Sequence, residues 1–120
     1  LPSVQPDMYQ QSVLRASRAS EAVGADAESQ SRLFYAPAND PFATAAVVRE
    51  IVADAAKQKP VTNLYLVPLA TKAQTIGFGI YWLSECDGSS SSVLCPVYSA
   101  YPIETSRGVA RTWLYTLEFA

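Results

Sequence analysis

Pro60 divides the chain into halves of different composition. Residues 1–60 hold thirteen of the eighteen alanines and four of the thirteen aromatics, whereas residues 61–120 hold five alanines and nine aromatics. Alanine favours helix because it loses no side-chain entropy there. Aromatic and β-branched side chains favour the pleated, half-buried surface of a sheet. Helices first and strands second is a segregated α+β pattern, not an alternating βαβ one. At 120 residues, 49% of them hydrophobic, the chain is expected to be a single domain, 1–120, with a helical half 1–60 and a strand half 61–120.

In the first half, Asp7 is placed to cap a helix. From Met8 onward, Val13, Ala16, Ala19 or Ala22, and Val23 recur at helical spacing. This stripe is mostly alanine and buries little area. Gly24 weakens its far end and the polar stretch 29–32 stops it. A second helix is predicted after Asn39-Asp40-Pro41, a capping residue followed by proline in the first turn. Phe42, Ala45, Val48, Ile51 or Val52, and Ala55 share one face, opposite Arg49, Glu50, Asp54 and Lys57. Lys57 and Lys59 suit the negative pole of the helix, and Pro60 ends it.

Four strand-like runs follow: Val61 to Leu69, Thr75 to Glu85, Val93 to Tyr101, and Val109 to Phe119. Pro68 and Pro96 place the first and third at an edge, an end or a bulge. In the second run Ile76, Phe78, Ile80 and Trp82 alternate with Gly77, Gly79, Tyr81 and Leu83. In the last, Val109, Arg111, Trp113, Tyr115, Leu117 and Phe119 share one face. The predicted architecture is two N-terminal helices packed on one face of a four-stranded antiparallel sheet. Gly77 and Gly79 leave a flat patch on a strand face. Close packing of the alanine-rich helix suits it, and a small ligand slot is the alternative.

Cys86 and Cys95 enclose Asp87-Gly88 and four serines, which reads as a turn between the second and third strands. Cysteines on either side of a hairpin loop are placed to form a disulfide, worth on the order of 2–3 kcal/mol for so short a loop. The other reading is two unrelated buried thiols. The disulfide reading implies a periplasmic or extracellular protein. The chain opens at Leu1 and not at methionine, which suggests a removed leader or a cut from something longer. The apolar stretches near Leu64–Leu69 and Ile76–Leu83 fall short of the roughly 20 residues that span a bilayer, so no transmembrane segment is expected.

The chain has no histidine. Imidazole acid–base catalysis, Ser-His and Cys-His nucleophiles, and most zinc sites are therefore excluded. Two cysteines alone do not supply four metal ligands, and no phosphate loop or dinucleotide fingerprint is present, so no cofactor or metal is expected. Nine basic against eleven acidic residues lack the excess of a nucleic-acid binder. Glu85, Asp87, Glu104 and Glu118 are the carboxylates left for hydrolytic chemistry, and nothing in their spacing pairs them. Arg107 and Arg111 bracket Gly108 ahead of the last strand. They suit an interface better than an anion or RNA contact.

Seven tyrosines and two tryptophans are more rings than one covered sheet face absorbs. Tyrosines at the core rim are one reading, a protein-binding or dimer surface another, and a glycan or peptide groove a third. The sequence thus points to a non-enzymatic secreted or periplasmic binding protein, acting through protein–protein contacts of the inhibitor, immunity, secretion-accessory or effector type. Its partner would be another protein or a second copy of itself, and Tyr98, Tyr101, Arg111, Trp113 and Tyr115 are the candidate binding residues. The alternatives are a small histidine-free hydrolase or toxin using carboxylate and arginine chemistry, and a structural subunit of a larger assembly.

Overall fold

The computed structural model describes residues 34–69, 71–103, 107–109 and 111–119, together with Leu14 and Arg18. The expected first helix, from Asp7 through Val23, lies outside the described residues except at Leu14 and Arg18, which are both helical.

Helix α1 (Pro41–Gln58) forms where its cap predicts. The Asp40 carboxylate accepts from the backbone N–H of Phe42 at 2.9 Å and of Ala43 at 3.0 Å. These are donors that a first turn otherwise leaves without partners. Pro41, next in line, has no N–H to satisfy. At the far end the N–H of Lys59 donates to the Ala55 carbonyl at 3.1 Å in extended backbone, and Pro60 follows. The buried stripe runs through Pro41, Thr44 and Val48, with Ala45 and Val52 packed beside it. This face is rotated from the expected one, and Phe42 is left exposed.

Strand β1 (Leu64–Leu66) is much shorter than the predicted run from Val61 to Leu69. Its side chains alternate as a strand's should, with Leu66 buried and Tyr65 exposed.

The predicted second strand is a helix. Helix α2 spans Lys72–Glu85 and is set by a capping box at its start. The Thr71 hydroxyl oxygen accepts from the Gln74 N–H at 3.3 Å, and the Gln74 side-chain oxygen accepts from the Thr71 N–H at 3.4 Å. The apolar run from Ile76 to Leu83 alternates only because it is apolar almost throughout. Its burial follows the helical period instead: Gly77 and Tyr81 are buried, Phe78 and Trp82 pack against the core, and Ile76 and Leu83 are exposed. A stretch of fourteen residues also exceeds the usual length of a strand.

Helices α1 and α2 cross at Gly77. A Cβ added there would lie 2.6 Å from the Pro41 carbonyl oxygen and 2.6 Å from the Thr44 Cβ. Gly77 is therefore a packing glycine, as its flat patch suggested, but α1 is the helix that packs on it. Gly79 faces open space.

The Asp87-Gly88 turn forms, with Gly88 at a φ of 76° that favours glycine. It joins α2 to strand β2 (Ser91–Val93) and not strand to strand. β2 lies parallel to β1 in the register Leu64↔Ser91, Tyr65↔Ser92, Leu66↔Val93. The unit is thus β1–α2–β2, the strand–helix–strand crossover that parallel pairing requires. Among the described residues the sheet has these two strands alone, so the four-stranded antiparallel sheet is corrected to a parallel pair. The predicted strands from Val93 to Tyr101 and from Val109 to Phe119 are, beyond Val93, neither helix nor strand at their described residues. Val48, Leu66 and Tyr81 form the buried apolar centre where α1, α2 and the sheet meet.

The crossing generates a paired expectation. Gly77→Ala forces a backbone contact apart and should lower the stability of unfolding by about 1–3 kcal/mol. Gly79→Ala, in open space on the same helix, should raise it by about 0.5–1 kcal/mol. Urea denaturation of the two variants measures both.

Candidate functional site

The sequence-predicted binding residues sit in two places. Tyr98 and Tyr101 form a local pair: the rings meet edge-to-face with centroids 5.9 Å apart at 89°, and the Tyr98 N–H donates to the Tyr101 hydroxyl oxygen at 3.1 Å. Their exposures are 58% and 66%, so the pair stands in solvent and not in the core. Arg111 and Trp113 are exposed on the C-terminal stretch. Tyr115 is half-buried, and it reaches the start of α1. Its hydroxyl donates to the Asn39 carbonyl and its ring lies edge-on to Phe42, centroids 6.3 Å apart. Among the described residues no ring contact joins the Tyr98–Tyr101 pair to Trp113 or Tyr115. Sequence reasoning missed Phe42 as a surface ring. It counted Phe42 among the core positions, but Phe42 sits two residues, about 200° round the helix, from Thr44 of the buried stripe, and so on the opposite side.

The backbone before α1 is tied to α2 as well. The Thr71 hydroxyl donates to the Ala38 carbonyl, and the Gln74 amide donates to the Ala36 carbonyl at 3.1 Å. Residues 36–39 therefore present carbonyl oxygens to both helical and C-terminal partners. Thr71-x-x-Gln74 was the local signal for this junction, since a capping box marks a helix start.

The candidate carboxylates are drawn into structural roles. Glu85 pairs with Arg49 at 2.6 Å across the two helices, an exposed bridge of the kind that contributes about 0–1 kcal/mol. Asp87 accepts the Ser89 N–H at 3.0 Å in its own turn. That backbone bond is the main cause that lowers its pKa below the ordinary aspartate value, with the Ser89 hydroxyl adding to it. Glu118 is exposed, and Glu104 lies outside the described residues. The Tyr81 hydroxyl is shifted the other way: burial raises its pKa, Cys86 and Glu85 add to the rise, and Arg49 opposes it. A phenol so placed stays protonated at neutral pH. Among the described residues no group of three or more Cys, Asp or Glu side chains is arranged to hold a metal ion.

The Cys86–Cys95 disulfide is corrected: both are free thiols, Cys86 half-buried and Cys95 exposed. The hairpin that would have set them opposite each other does not exist. Cys86 caps the C-terminus of α2, and β2 then carries the chain along β1. The Leu64 N–H donates to the Ser90 carbonyl at one end, and the Leu94 N–H donates to the Leu66 carbonyl at the other. At about 3.3 Å per residue, β2 carries the chain roughly 13 Å along β1 between Ser90 and Leu94, so Cys86 precedes one end of the strand and Cys95 follows the other. With the thiols free, the periplasmic or extracellular expectation loses the observation it rested on. No helix among the described residues is long and apolar enough to cross a membrane.

Two measurements follow from this geometry. Alkylation of the denatured, unreduced protein should add two alkyl groups in its intact mass, one per cysteine. The Asp87 carboxyl, followed by NMR against pH, should titrate below an aspartate of the unfolded chain. Because its pKa is depressed on folding, the turn's stabilisation is complete above the unfolded value and is lost as pH falls through the folded one.

Set against protein-family models, curated proteins and solved structures, the chain matches none of them.

Proposed function

We propose that this chain works by protein–protein contact, without catalysis, through side chains of the stretch 97–119. One observation carries the reading. Val97, Tyr98, Tyr101, Ile103, Trp113 and Leu114 are all exposed, on described backbone that belongs to no helix or strand. Apolar residues scattered singly over a surface need no explanation, and it is their succession along this segment that supports the reading. Tyrosine and tryptophan supply large contact area with few rotatable bonds, and arginine, here Arg111, is the charged residue most often found with them. Tyr98, Tyr101, Arg111, Trp113 and Tyr115 remain the residues that would carry the contact. The hydrolase alternative gains no support from the carboxylates, since Arg49 engages Glu85 and the turn engages Asp87.

The reading is tested by identifying what the chain captures from an extract of its source, then measuring affinity by calorimetry against five single alanine variants. Tyr98→Ala or Trp113→Ala should weaken binding by at least about 1–2 kcal/mol while the helical circular dichroism stays unchanged. Unchanged affinity across all five variants would refute the proposal. Sedimentation over a range of concentrations reports whether the partner is a second copy of the chain.

A further inference from the structure

Tyr115 differs from every other described residue between 111 and 119. It is half-buried where the rest are exposed, among them Leu117 at 39% and Leu114 beside it at 94%. Among the described residues it makes the one hydrogen bond of that stretch, to the Asn39 carbonyl, and the one ring contact, to Phe42. Among the described residues 111–119, no helix or strand ladder holds the backbone on either side of it.

We infer that residues 111–119 form a strap clipped across the start of α1 by Tyr115, able to open while the β1–α2–β2 unit and α1 stay folded. A segment with one hydrogen-bonded anchor and no backbone ladder opens at a cost far below that of global unfolding. The anchoring groups support this separation. Asn39 precedes the Asp40 cap, and Phe42 lies outside the buried stripe of Pro41, Thr44 and Val48 that meets Gly77. Releasing Tyr115 therefore leaves the helix crossing intact. Closed, the strap covers one side of Phe42. Open, it presents both rings to solvent. The opening needs no partner and holds whatever the segment binds.

Backbone NMR relaxation on the whole chain tests it. In the wild type, order should peak at Tyr115 within 112–118. In Tyr115→Ala the order parameters of 112–118 should fall below about 0.6, the flexible range, while α1 and α2 stay near the rigid value of about 0.85. Tyr115→Phe, which keeps the ring on Phe42 and loses the hydroxyl, should fall between the two. Leu114→Ala should match the wild type. Four results would overturn the strap: a wild-type stretch already mobile throughout, Tyr115→Ala as ordered as the wild type, equal loosening by Leu114→Ala, or loss of order in α1 and α2 with Tyr115→Ala.

Discussion

The close approach of α1 and α2 at Gly77 is the constraint on which the other contacts depend. With no side chain there, the α2 backbone sits against the Pro41 carbonyl and the Thr44 side chain. That approach brings the start of α2 to the loop before α1, where Thr71 and Gln74 find the carbonyls of Ala38 and Ala36. One turn on from Gly77, Tyr81 meets the Val48 cluster, and one more turn places Glu85 beside Arg49. The three contacts are spaced at i, i+4 and i+8 along one face, so a single crossing aligns them all.

The sheet is positioned by the same helix. α2 is the crossover of the β1–α2–β2 unit, and it reaches β2 through a polar contact as well as an apolar one. The Trp82 indole N–H donates to the Ser91 hydroxyl oxygen at 3.1 Å. That bond accounts for a buried serine at the head of a strand, because a buried hydroxyl left without a partner would be costly. The helices cover one face of the strand pair and leave Tyr65 on the other, where it is exposed. The aromatic surface of the C-terminal stretch thus lies outside a small core and is joined to α1 through Tyr115.

Legibility in the sequence followed how local the physics was. α1 could be read because Asp40-Pro41 acts within its own first turn, and Pro60 acts within its last. The Asp87-Gly88 turn was legible for the same reason. α2 was misread because an apolar run from Ile76 to Leu83 satisfies a period of two as readily as one of 3.6. The deciding signal was the capping box at Thr71 and Gln74, outside the run itself. The aromatics of the candidate site were legible as residue types. Their partition into a Tyr98–Tyr101 pair and a Tyr115–Phe42 contact was not, because the second joins residues 73 positions apart.

By itself the sequence determined the exclusions and the local stops: a chain without histidine has no imidazole chemistry, and Asp40, Pro41 and Pro60 bound a helix wherever it packs. Only the tertiary structure decided that β1 and β2 run parallel and that Cys86 and Cys95 stay apart. Both outcomes turn on α2 being a helix. A helix between two strands returns the chain to the end from which it left, so the next strand runs in the same direction. A strand in its place would have made a hairpin and brought the two thiols together.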